Sequence, residues 1–397
     1  MLSIPALKYP DKVRWSIPPS KSHMIRWIAL SSQSKSRTEL SFQGVPGKDI
    51  ESMAECMEKM GSSISKEWGR WFIQGNKDGF EFPNDSLDCG NSATAAKIVT
   101  SIAACLERPI NIDGDSSLRR RDFSALTSAL RSLGCEISSD NLPYTVSGPI
   151  FPGRTVIDES FSSQTLSGLI LASPGFSGEV EVRLRGEAVS RWYRDLTIET
   201  SRSSGWSGEY GESMILKPWT VETPEKVEIP GEVSLLPLSM LFDKLHGTES
   251  MSKLQLEELF IPDEIKEANN TISGLVDLRD VSDIITPIAA IMALGDGGEI
   301  VGAFHSRGKE SNRIMSTIRM LSAFGIEAEE TPTGLAIPGE QSPNCPKKPL
   351  DCEMDHRLAM TAAVLATKVG GELSGHEVCN VTHPDFFEMI LSPDEWQ

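Results

Sequence analysis

No segment of the 397-residue chain approaches the roughly 20 consecutive apolar residues that a membrane-spanning helix needs. The first residues, MLSIPALKYPDKVRW, also lack the basic and then apolar layout of a secretory signal peptide. Apolar side chains make up 39% of the residues and charged side chains 24%, as in soluble globular proteins. We therefore expect a cytoplasmic protein of two or three domains that does not bind membranes.

Cysteine and histidine are too scattered to predict a metal centre. The seven cysteines form no Cys-x-x-Cys pair, and the six histidines form no His-Glu-x-x-His pattern. An odd number of scattered cysteines in a reducing compartment indicates free thiols. The sequence therefore predicts free thiols, most of them small core residues, and no zinc site.

Positive charge is in short supply, because 38 Lys and Arg residues oppose 56 Asp and Glu residues. The formal net charge is −18 and the sequence pI is about 4.9. Such a surface repels nucleic acid and anionic membranes, so we expect neither as a partner. A site for a phosphorylated ligand must then be a local cluster of Lys and Arg inside an acidic shell.

Six apolar stretches that each open with a short polar turn recur along the chain and predict helices. Their spacing is about 70 to 73 residues, apart from one interval of about 48. A second helical pattern follows in most repeats, ends at a glycine and leads into a short strand. Any α/β protein shows some such passages, so the prediction of six similar α/β units depends on the spacing. The apolar helices are expected to start near Lys21, Asn91, Ser163, Leu235, Asp283 and His356, and the glycines are Gly61, Gly134, Gly205 and Gly325.

The first predicted helix opens with cationic and hydroxyl side chains, in the sequence PPSKSHMIR. Ser20 or Ser22 could cap the helix, and Lys21 and Arg26 could face one ligand. Free N–H groups at a helix N-terminus favour an anion, and several converging N-termini would form an anion site. A solvated surface is the alternative interpretation of such a helix start.

Three further segments have residue types that suit phosphate or carboxylate groups. The loop Asp88–Thr94 contains Gly-Asn-Ser, which lets backbone N–H groups approach a ligand, although it is not a Walker A loop. Arg119–Arg121 places three cations before a helix, where a solvated turn is an equally good interpretation. Ser162, Ser163 and Gln164 open another helix with two hydroxyl groups.

The last two motifs combine cations with carboxylates. In the segment KESNR, Lys309 and Arg313 lie four residues apart on one helical face beside Glu310. With a second carboxylate at Asp283, this pair would suit acid and base catalysis, although surface ion pairs are an equal alternative. The segment Asp355–Arg357 stands at a helix start, where Asp355 could be the cap.

The order of these motifs resembles that of the 5-enolpyruvylshikimate-3-phosphate synthase family of enolpyruvyl transferases. The order is Ser-Lys-Ser-x-x-x-Arg, Gly-Asn-x-x-Thr, an Arg before a helix, Ser-Ser-Gln, an Asp before an apolar helix, Lys-Glu-x-x-Arg and Asp-His-Arg. It extends from about residue 17 to about residue 390 without large gaps. Each motif is weak alone, but their agreement in one order by chance is negligible.

The resemblance implies an α/β fold of two similar domains, each made of three βαβαββ units in an inverted α/β barrel. One domain would span residues 20–232, and the other would combine residues 1–19 with 233–397, with the active site in the cleft between them. The family transfers the enolpyruvyl group of phosphoenolpyruvate to the 5-hydroxyl group of shikimate-3-phosphate, in the pathway to aromatic amino acids. It uses no metal or organic cofactor, and we expect a monomer with two small-molecule substrates.

The resemblance also implies roles for individual residues. Asp283 would take the proton of the 5-hydroxyl group, Glu310 would protonate the methylene carbon, and His356 would support Glu310. Lys21 is the fourth implied catalytic residue. Because nearby cations lower the pKa of a carboxyl group, Glu310 would need burial or substrate charge to act as an acid. The residues implied to bind shikimate-3-phosphate are Lys21, Ser22, Arg26, Ser162, Ser163, Gln164, Ser190, Tyr193, Asp283, His305 and Lys309. Those implied to bind phosphoenolpyruvate are Lys21, Asn91, Ala93, Arg121, Gln164, Arg313 and Arg357.

Four positions depart from the family pattern. Ala93 replaces a Gly beside the phosphoenolpyruvate phosphate, so its methyl group should crowd glyphosate, which is longer, and reduce sensitivity to it. Val381 replaces a Lys, whose charge Lys97 or His383 would have to supply. His305 and Asn312 replace an Asn and an Asp. These changes bear on affinity more than on the class of reaction.

Two other functions are compatible with parts of the pattern. UDP-N-acetylglucosamine enolpyruvyl transferases share the fold but need a reactive Cys on a loop, and the corresponding segment DSSLRRRD has none. A non-catalytic ligand-binding relative is the second alternative. The retention of Asp283, Glu310, Lys21, Arg121 and Arg357 argues against it.

Overall fold

The computed structural model describes residues 1–250 and 272–392. The chain divides into two units, one formed by Pro19–Pro230 and the other by Met1–Pro18 with Gly231–Gln397. Residues 251–271 and 393–397 belong to the predicted second domain and lie outside the described residues. Each unit has a hydrophobic core of its own.

The six apolar stretches of the sequence are helical, and each helix begins within two residues of the predicted start. They bury nearly all of their side chains, as expected for helices that are apolar on every face. In chain order over the described residues, the helices are α1 (Lys21–Ser31), α2 (Lys48–Lys59), α3 (Ala93–Ala103), α4 (Ser124–Ser132), α5 (Gln164–Ala172), α6 (Arg191–Arg202), α7 (Leu236–His246), α8 (Ile285–Ala293), α9 (Arg313–Ala323), α10 (His356–Val369) and α11 (Phe386–Leu391). The apolar helices are α1, α3, α5, α7, α8 and α10.

The amphipathic helices α2, α4, α6 and α9 follow the apolar ones and end as the sequence predicts. Gly61, Gly134, Gly205 and Gly325 follow these helices with positive φ angles. At Gly134, for example, φ is +89°, a left-handed conformation that closes the last helical turn and that a residue with a Cβ atom adopts only with strain. The chain then reverses into the next strand.

The strands are short and numerous. Over the described residues they are β1 (Leu2–Ile4), β2 (Thr38–Ser41), β3 (Ser63–Glu67), β4 (Arg70–Gln74), β5 (Leu87–Asp88), β6 (Ile110–Asp113), β7 (Glu136–Ile137), β8 (Tyr144–Ser147), β9 (Gly153–Asp158), β10 (Val180–Arg185), β11 (Ser213–Leu216), β12 (Lys226–Glu228), β13 (Gly274–Asp277), β14 (Gly297–Val301), β15 (Glu329–Glu330), β16 (Leu335–Pro338), β17 (Leu350–Asp351) and β18 (Gly371–Ser374).

Three four-stranded sheets share one topology. Their orders are β12-β2-β4-β3, β5-β6-β8-β7 and β13-β14-β16-β15, and in each the first pair is parallel and the others are antiparallel. Around the last two sheets the chain runs strand, helix, strand, helix, strand, strand, which is the βαβαββ order. Two three-stranded sheets, β11-β10-β9 and β1-β18-β17, complete the described topology. The predicted α/β class is confirmed.

Five of the six apolar helices, α1, α3, α5, α8 and α10, have candidate site residues at or just before their N-termini. The start of α1 follows the Pro18-Pro19 pair, and the start of α10 follows β17 within five residues. Within the described residues, no helix has the length and apolar character to cross a membrane. The seven cysteines are free thiols, and five of them are buried.

Candidate active site

Lys21 is the first residue of α1, and its ammonium group lies 3.0 Å from Asp49 Oδ2 near the start of α2. The Asp49 side chain is 4% exposed, whereas that of Lys21 remains 17% exposed. The buried carboxylate therefore fixes the direction of an ammonium group that solvent can still reach. Ser22, the next residue, is buried.

Arg26, one turn further along α1, is buried inside its unit with 1% of its surface exposed. Its Nε donates to Thr197 Oγ1 at 2.7 Å, Nη1 to Ser22 O at 2.8 Å and Nη2 to Tyr193 O at 2.8 Å. Burial, only partly offset by Tyr193, lowers the pKa of Arg26 to about 10. These bonds tie α1 to α6, so Arg26 sets the position of Tyr193 in addition to its predicted role with substrate.

The loop before α3 is joined to the segment that carries Arg121. Asn91 Nδ2 donates to Asp115 Oδ2 at 2.8 Å, and Arg121 Nη2 donates to Asn91 Oδ1 at 2.8 Å. Asp115 Oδ1 also accepts the backbone N–H of Leu118, at 2.8 Å. Gly90 has a φ of +57° and no room for a Cβ atom, which would lie 2.7 Å from Ser52 Oγ. Asn91 and Arg121, both predicted to bind phosphoenolpyruvate, are therefore held together.

Ala93 is the first residue of α3, and its side chain is half-buried. Ser92 caps this helix, with its Oγ accepting the backbone N–H of Ala95 at 3.3 Å. Lys97 lies one helical turn after Ala93 and is also half-buried. The methyl group that departs from the family pattern thus lies at a helix N-terminus, where backbone N–H groups favour an anion.

The Ser162–Gln164 segment opens α5. Ser162 Oγ accepts the backbone N–H of Gln164 at 3.1 Å, and Gln164 Nε2 donates to Thr94 Oγ1 of α3 at 2.9 Å. Ser163 is 1% exposed, and its Oγ has no hydrogen-bond partner among the described residues. A buried hydroxyl group without a partner at a helix N-terminus is an available donor for an anion.

Ser190 precedes α6 and has a left-handed backbone, with φ of +55° and ψ of +37°. Such a conformation is rare for a residue with a Cβ atom and persists only where the surroundings impose it. Ser190 is 5% exposed, and its carbonyl oxygen accepts the backbone N–H of Tyr193 at 3.1 Å. The two residues predicted to bind shikimate-3-phosphate in this segment therefore form one turn.

Arg313 is the centre of the candidate site in the other unit. This residue is 1% exposed; its Nη1 donates to Asp283 Oδ1 at 2.8 Å, its Nη2 to Glu310 Oε2, and its Nε to Asp355 Oδ2 at 2.9 Å. Lys309 Nζ lies 3.5 Å from Asp283 Oδ1. Burial opposes the charge, but Asp355, Glu310 and Asp283 together raise the pKa of Arg313 above its ordinary value. Both predicted catalytic carboxylates are thus held by one permanent cation.

Asp355 caps α10 and places the two residues after it. Its Oδ1 accepts the backbone N–H of Arg357 at 2.9 Å, and the Asp355 side chain is fully buried. Arg357 donates to Ser234 twice, from Nη1 to the carbonyl oxygen at 2.8 Å and from Nη2 to Oγ at 2.6 Å. Its Nε is buried and has no hydrogen-bond partner among the described residues. His356 is buried beside it, and its predicted support of Glu310 stays a prediction.

His305 is buried next to the turn that carries Asp283. Its Nε2 lies 2.8 Å from Ser282 Oγ, and Ser282 opens the short 3-10 turn Ser282–Ile284. Burial, together with the charge of Lys309, lowers the pKa of His305 to about 4. The imidazole is therefore neutral at pH 7 and can hold Asp283 in place without adding charge.

Asn312, which departs from the family pattern, and His383, which was a candidate for the charge missing at Val381, both have local roles. Asn312 caps α9, where its Oδ1 accepts the backbone N–H of Met315 at 3.3 Å. His383 lies with Nε2 3.2 Å from Ser16 O, and burial lowers its pKa to about 4. A neutral His383 cannot replace the missing cation at Val381, which leaves Lys97 as the candidate that the sequence suggested.

The contacts collect the predicted residues into two groups. The sequence did not reveal the buried residues that hold the predicted ones in place, because these partners come from distant segments. For Asp49 alone there was a signal, namely an acidic residue in the first turn of a helix. The group in Pro19–Pro230 is Lys21, Ser22, Arg26, Asn91, Ala93, Arg121, Ser162, Ser163, Gln164, Ser190 and Tyr193, and the missed partners are Asp49, Asp115 and Thr197. The group in the other unit is Asp283, His305, Lys309, Glu310, Arg313, His356 and Arg357, and the missed partner is Ser234.

Solved structures of enolpyruvyl transferases have the same fold as this chain. The EPSP synthase from Acinetobacter baumannii superposes with a TM-score of 0.75 at 21% identity, covering 98% of this chain and 96% of that chain. The enolpyruvyl transferase NikO from Streptomyces tendae superposes with a TM-score of 0.67 at 10% identity, over 98% and 96% of the two chains. The enolpyruvyl transferase fold expected from the resemblance is confirmed.

Curated relatives and a family model agree with the motif order. The 3-phosphoshikimate 1-carboxyvinyltransferase of Methanothermobacter thermautotrophicus is 28% identical over 94% of each chain. That of Nitrosopumilus maritimus is 29% identical over 94% of this chain and 93% of its own. The model of EPSP synthase (3-phosphoshikimate 1-carboxyvinyltransferase) matches residues 12–234 and 261–390. Because this match covers most of the sequence and includes every motif described above, the chain belongs to the EPSP synthase family.

Proposed function

We propose that this chain transfers the enolpyruvyl group of phosphoenolpyruvate to the 5-hydroxyl group of shikimate-3-phosphate and releases phosphate. The arrangement around Arg313 is the observation that supports this most strongly, because one guanidinium holds both Asp283 and Glu310. The reaction needs one group that accepts the hydroxyl proton and another that donates a proton to carbon. Two carboxylates in different surroundings suit these two roles.

Asp283 accepts the proton of the 5-hydroxyl group as its oxygen bonds to C2 of phosphoenolpyruvate. Glu310 gives a proton to C3, which becomes a methyl group, so the first half of the reaction produces a tetrahedral adduct. In the second half, the ionised Glu310 takes a proton back from C3 as the bond between C2 and the phosphate oxygen breaks, and Asp283 gives its proton to the leaving phosphate. The double bond forms again, and phosphate leaves. Lys309, 3.5 Å from Asp283, stabilises negative charge near the attacking oxygen.

Glu310 has to be protonated before it can act as an acid, although Arg313 favours its ionised form. Arg313 is also among the residues proposed to bind phosphoenolpyruvate. A substrate anion that takes a share of this guanidinium weakens its hold on Glu310, and the added negative charge favours a proton on Glu310. Binding of phosphoenolpyruvate thereby favours the protonated form of Glu310 that the reaction needs.

The phosphate of shikimate-3-phosphate is proposed to bind Ser162, Ser163 and Ser190. The buried, unpartnered Oγ of Ser163 and the N-terminus of α5 support this assignment. Gln164 and Tyr193 would contact the ring, and Ser22 and Arg26 its carboxylate. These contacts distinguish the phosphorylated acceptor from other alcohols.

Phosphoenolpyruvate is proposed to bind Lys21, Arg121, Arg313 and Arg357, with Asn91 and Ala93 in the loop beside it. Each of these cations already has a fixed neighbour, so little reorganisation is needed when the anion arrives. The proposal requires both groups of residues to act on one pair of substrates. The reaction involves no net oxidation or reduction, and we propose a cofactor-independent monomer in the cytoplasm.

Phosphate release tests the proposed reaction directly. We expect purified protein to release phosphate from phosphoenolpyruvate when shikimate-3-phosphate is present, and only background phosphate without an acceptor. UDP-N-acetylglucosamine in place of shikimate-3-phosphate should give no release. Release with the nucleotide sugar alone would point to the other enolpyruvyl transferase activity, and no release with any acceptor would point to a binding protein.

A Glu310→Gln variant tests the proposed acid. The amide keeps the shape of the side chain but has no acidic proton, so we expect kcat to fall by at least about 10²-fold. Glu329→Gln, which changes an exposed residue of β15 in the same unit, is the matched control and should keep full activity. A Glu310→Gln enzyme with wild-type kcat would remove Glu310 from the mechanism.

A further inference from the structure

A cluster of the buried residues Glu159 and Arg194 with Tyr210, which is 38% exposed, lies outside every motif considered so far. The Tyr210 hydroxyl group donates to Glu159 Oε2 at 3.0 Å, and Arg194 Nη1 donates to the Tyr210 oxygen at 2.6 Å. Arg194 Nη1 also lies 3.7 Å from Glu159 Oε1. We call these three residues the Glu159 cluster. All of them belong to the unit Pro19–Pro230.

The cluster combines two opposite charges that have little access to water. The side chains of Glu159 and Arg194 are 4% and 9% exposed. The guanidinium carbon of Arg194 lies 4.1 Å from the centre of the Tyr210 ring, and Asp195 on the same helix accepts a bond from Arg194 Nε at 2.9 Å. Burial and the carboxylate of Glu159 raise the pKa of Tyr210 to about 12, so its hydroxyl group remains a donor. Buried charges of this kind persist only when they are paired.

The position of the cluster connects it to the candidate phosphate site. Glu159 lies three residues before Ser162, and its carbonyl oxygen accepts the backbone N–H of Val189 at 3.1 Å. Val189 directly precedes Ser190. Arg194 follows Ser190 by one turn of α6. The backbone and the side chain of Glu159 therefore both join the segment before α5 to the segment that starts α6.

This connection restrains the backbone of Ser190 in its unusual conformation. Ser190 has a left-handed backbone, which a serine does not keep without restraint from its surroundings. The bond from Val189 holds one side of this residue, and the contact between Arg194 and Glu159 holds the helix that follows it. Ser162 and Ser190, which come from different segments, keep a fixed separation as a result.

We propose that Glu159 and Arg194 are positioning residues that set the spacing between the Ser162–Ser163 turn and Ser190, and thereby the affinity of the site for the phosphate of the acceptor. This inference rests on the proposed function, because it concerns the same acceptor. It adds two residues that do not touch the substrate but determine how well three serines can bind its phosphate.

Whether Glu159→Gln strengthens or weakens binding of shikimate-3-phosphate distinguishes a positioning role from direct electrostatic repulsion of the phosphate. If Glu159 acted on the bound phosphate only through its negative charge, its conversion to Gln would remove a repulsion and strengthen binding. If Glu159 positions the serines, the same change weakens binding, because an amide holds Arg194 less firmly. Arg194→Lys keeps the positive charge but loses the planar guanidinium, so positioning predicts weaker binding for this variant too.

The test compares shikimate-3-phosphate with shikimate, which lacks the phosphate, by calorimetric titration of the full chain. For Glu159→Gln and Arg194→Lys, we expect Kd for shikimate-3-phosphate to rise about tenfold and Kd for shikimate to change less than about twofold. In steady-state kinetics, KM for shikimate-3-phosphate should rise while KM for phosphoenolpyruvate stays nearly constant. Glu179→Gln, which breaks the exposed pair between Lys217 and Glu179 in the same unit, is the matched control and should change none of these values.

A double variant gives a second readout that does not depend on folding stability. If Glu159 acts through the serine turn, Glu159→Gln should have little further effect on Kd in a Ser162→Ala background.

Unchanged or tighter binding of shikimate-3-phosphate by Glu159→Gln overturns the inference, and so does an equal loss of affinity for both ligands. A wild-type protein that neither binds nor converts shikimate-3-phosphate overturns the proposed function instead, and this inference with it.

Discussion

The methyl group of Ala93 is the smallest feature that should distinguish this enzyme from most of its family. It lies on the first residue of α3, beside the loop in which Asn91 and Arg121 are joined. In the proposed site, phosphoenolpyruvate is the shorter of the two anions that would compete for this place, and glyphosate is the longer. A single methyl group can therefore exclude the inhibitor more than the substrate.

We predict that Ala93→Gly increases glyphosate sensitivity. The change removes the methyl group, so Ki for glyphosate should fall by at least about tenfold, because one group of this size is worth about 1–3 kcal/mol. KM for phosphoenolpyruvate, the shorter anion, should change by about threefold or less. Inhibition of phosphate release measures both. Ala125→Gly, an exposed change near the start of α4, controls for the weaker helix propensity of glycine. Equal Ki values for wild type and Ala93→Gly would show that the methyl group does not touch the inhibitor.

Which site residues the sequence could reveal depended on where their partners lie in the chain. Lys309, Glu310 and Arg313 were recognisable together because they are close in sequence. The prediction that Lys309 and Arg313 share one helical face was wrong, because α9 begins at Arg313 and the other two residues lie in the bend before it. The partners that fix the cations are remote; Asp49 is 28 residues from Lys21, and Thr197 is 171 residues from Arg26. No periodicity in the sequence carries such pairs, so their discovery required the fold.

At the scale of elements, the helices were predictable and the strand pairing was not. An apolar stretch with a polar start specifies a buried helix by itself. A strand of three or four residues has no such signature, and its partner can be far away: β12 pairs with β2, and β1 pairs with β18 across almost the whole chain. The glycines after α4 and α9 were predictable because a helix end requires a particular backbone conformation.

The turn before α10 contains two successive strained residues, Glu353 and Met354, with φ of +51° and +55°. Glu353 is anchored to α9, since its carboxylate accepts bonds from Ser316 Oγ at 2.7 Å and Arg319 Nη2 at 2.7 Å. Asp355 follows immediately and holds Arg313. The strained turn therefore delivers the buried carboxylate to its cation.

We predict opposite outcomes for two substitutions at Met354. Asn tolerates the left-handed conformation, so Met354→Asn should change the free energy of unfolding by less than about 0.5 kcal/mol. Val is branched at Cβ and does not tolerate it, so Met354→Val should destabilise the protein by about 1–2 kcal/mol. It should also raise KM for phosphoenolpyruvate, because Asp355 and Arg357 follow the turn. Denaturant unfolding and steady-state kinetics measure the two effects, and equal stability of both variants would contradict the role given to strain.

At the scale of the whole molecule, the net charge is negative, but several arginines are buried. The whole chain has a formal net charge of −18, whereas Arg26, Arg313 and Arg357 are 1%, 1% and 4% exposed. Each buried guanidinium has polar partners inside its own unit, as buried charges require. An acidic protein can therefore bind anionic substrates, because close fixed cations act over a few ångströms, while surface repulsion is screened beyond roughly 10 Å in salt.

Burial also leaves four histidines with a pKa of about 4, namely His23, His246, His305 and His383. Each has an unfolded-state pKa near 6.5, so between pH 6.5 and pH 4 the unfolded chain binds protons that the folded chain does not. Above about pH 7 all four are mostly neutral in both states and have little effect on stability. As the pH falls from 6.5 towards 4, each one increasingly favours unfolding. Burial raises the pKa of Asp243 and Asp385, which opposes this trend only near the acidic end.

We therefore predict that the thermal midpoint Tm is nearly constant above pH 7 and falls steadily between pH 6.5 and pH 4.5 at constant ionic strength. His246→Gln removes one of the titrating groups while an amide can still reach Thr367 Oγ1, which lies 2.9 Å from His246 Nε2. Its Tm should fall less steeply with acid than that of wild type. Thr367→Val removes the same hydrogen bond but no titrating group, so it should lower Tm by a similar amount at every pH and keep the wild-type slope. If His246→Gln and wild type lose Tm equally between pH 6.5 and pH 4.5, proton uptake by the buried histidines is not what makes the fold sensitive to acid.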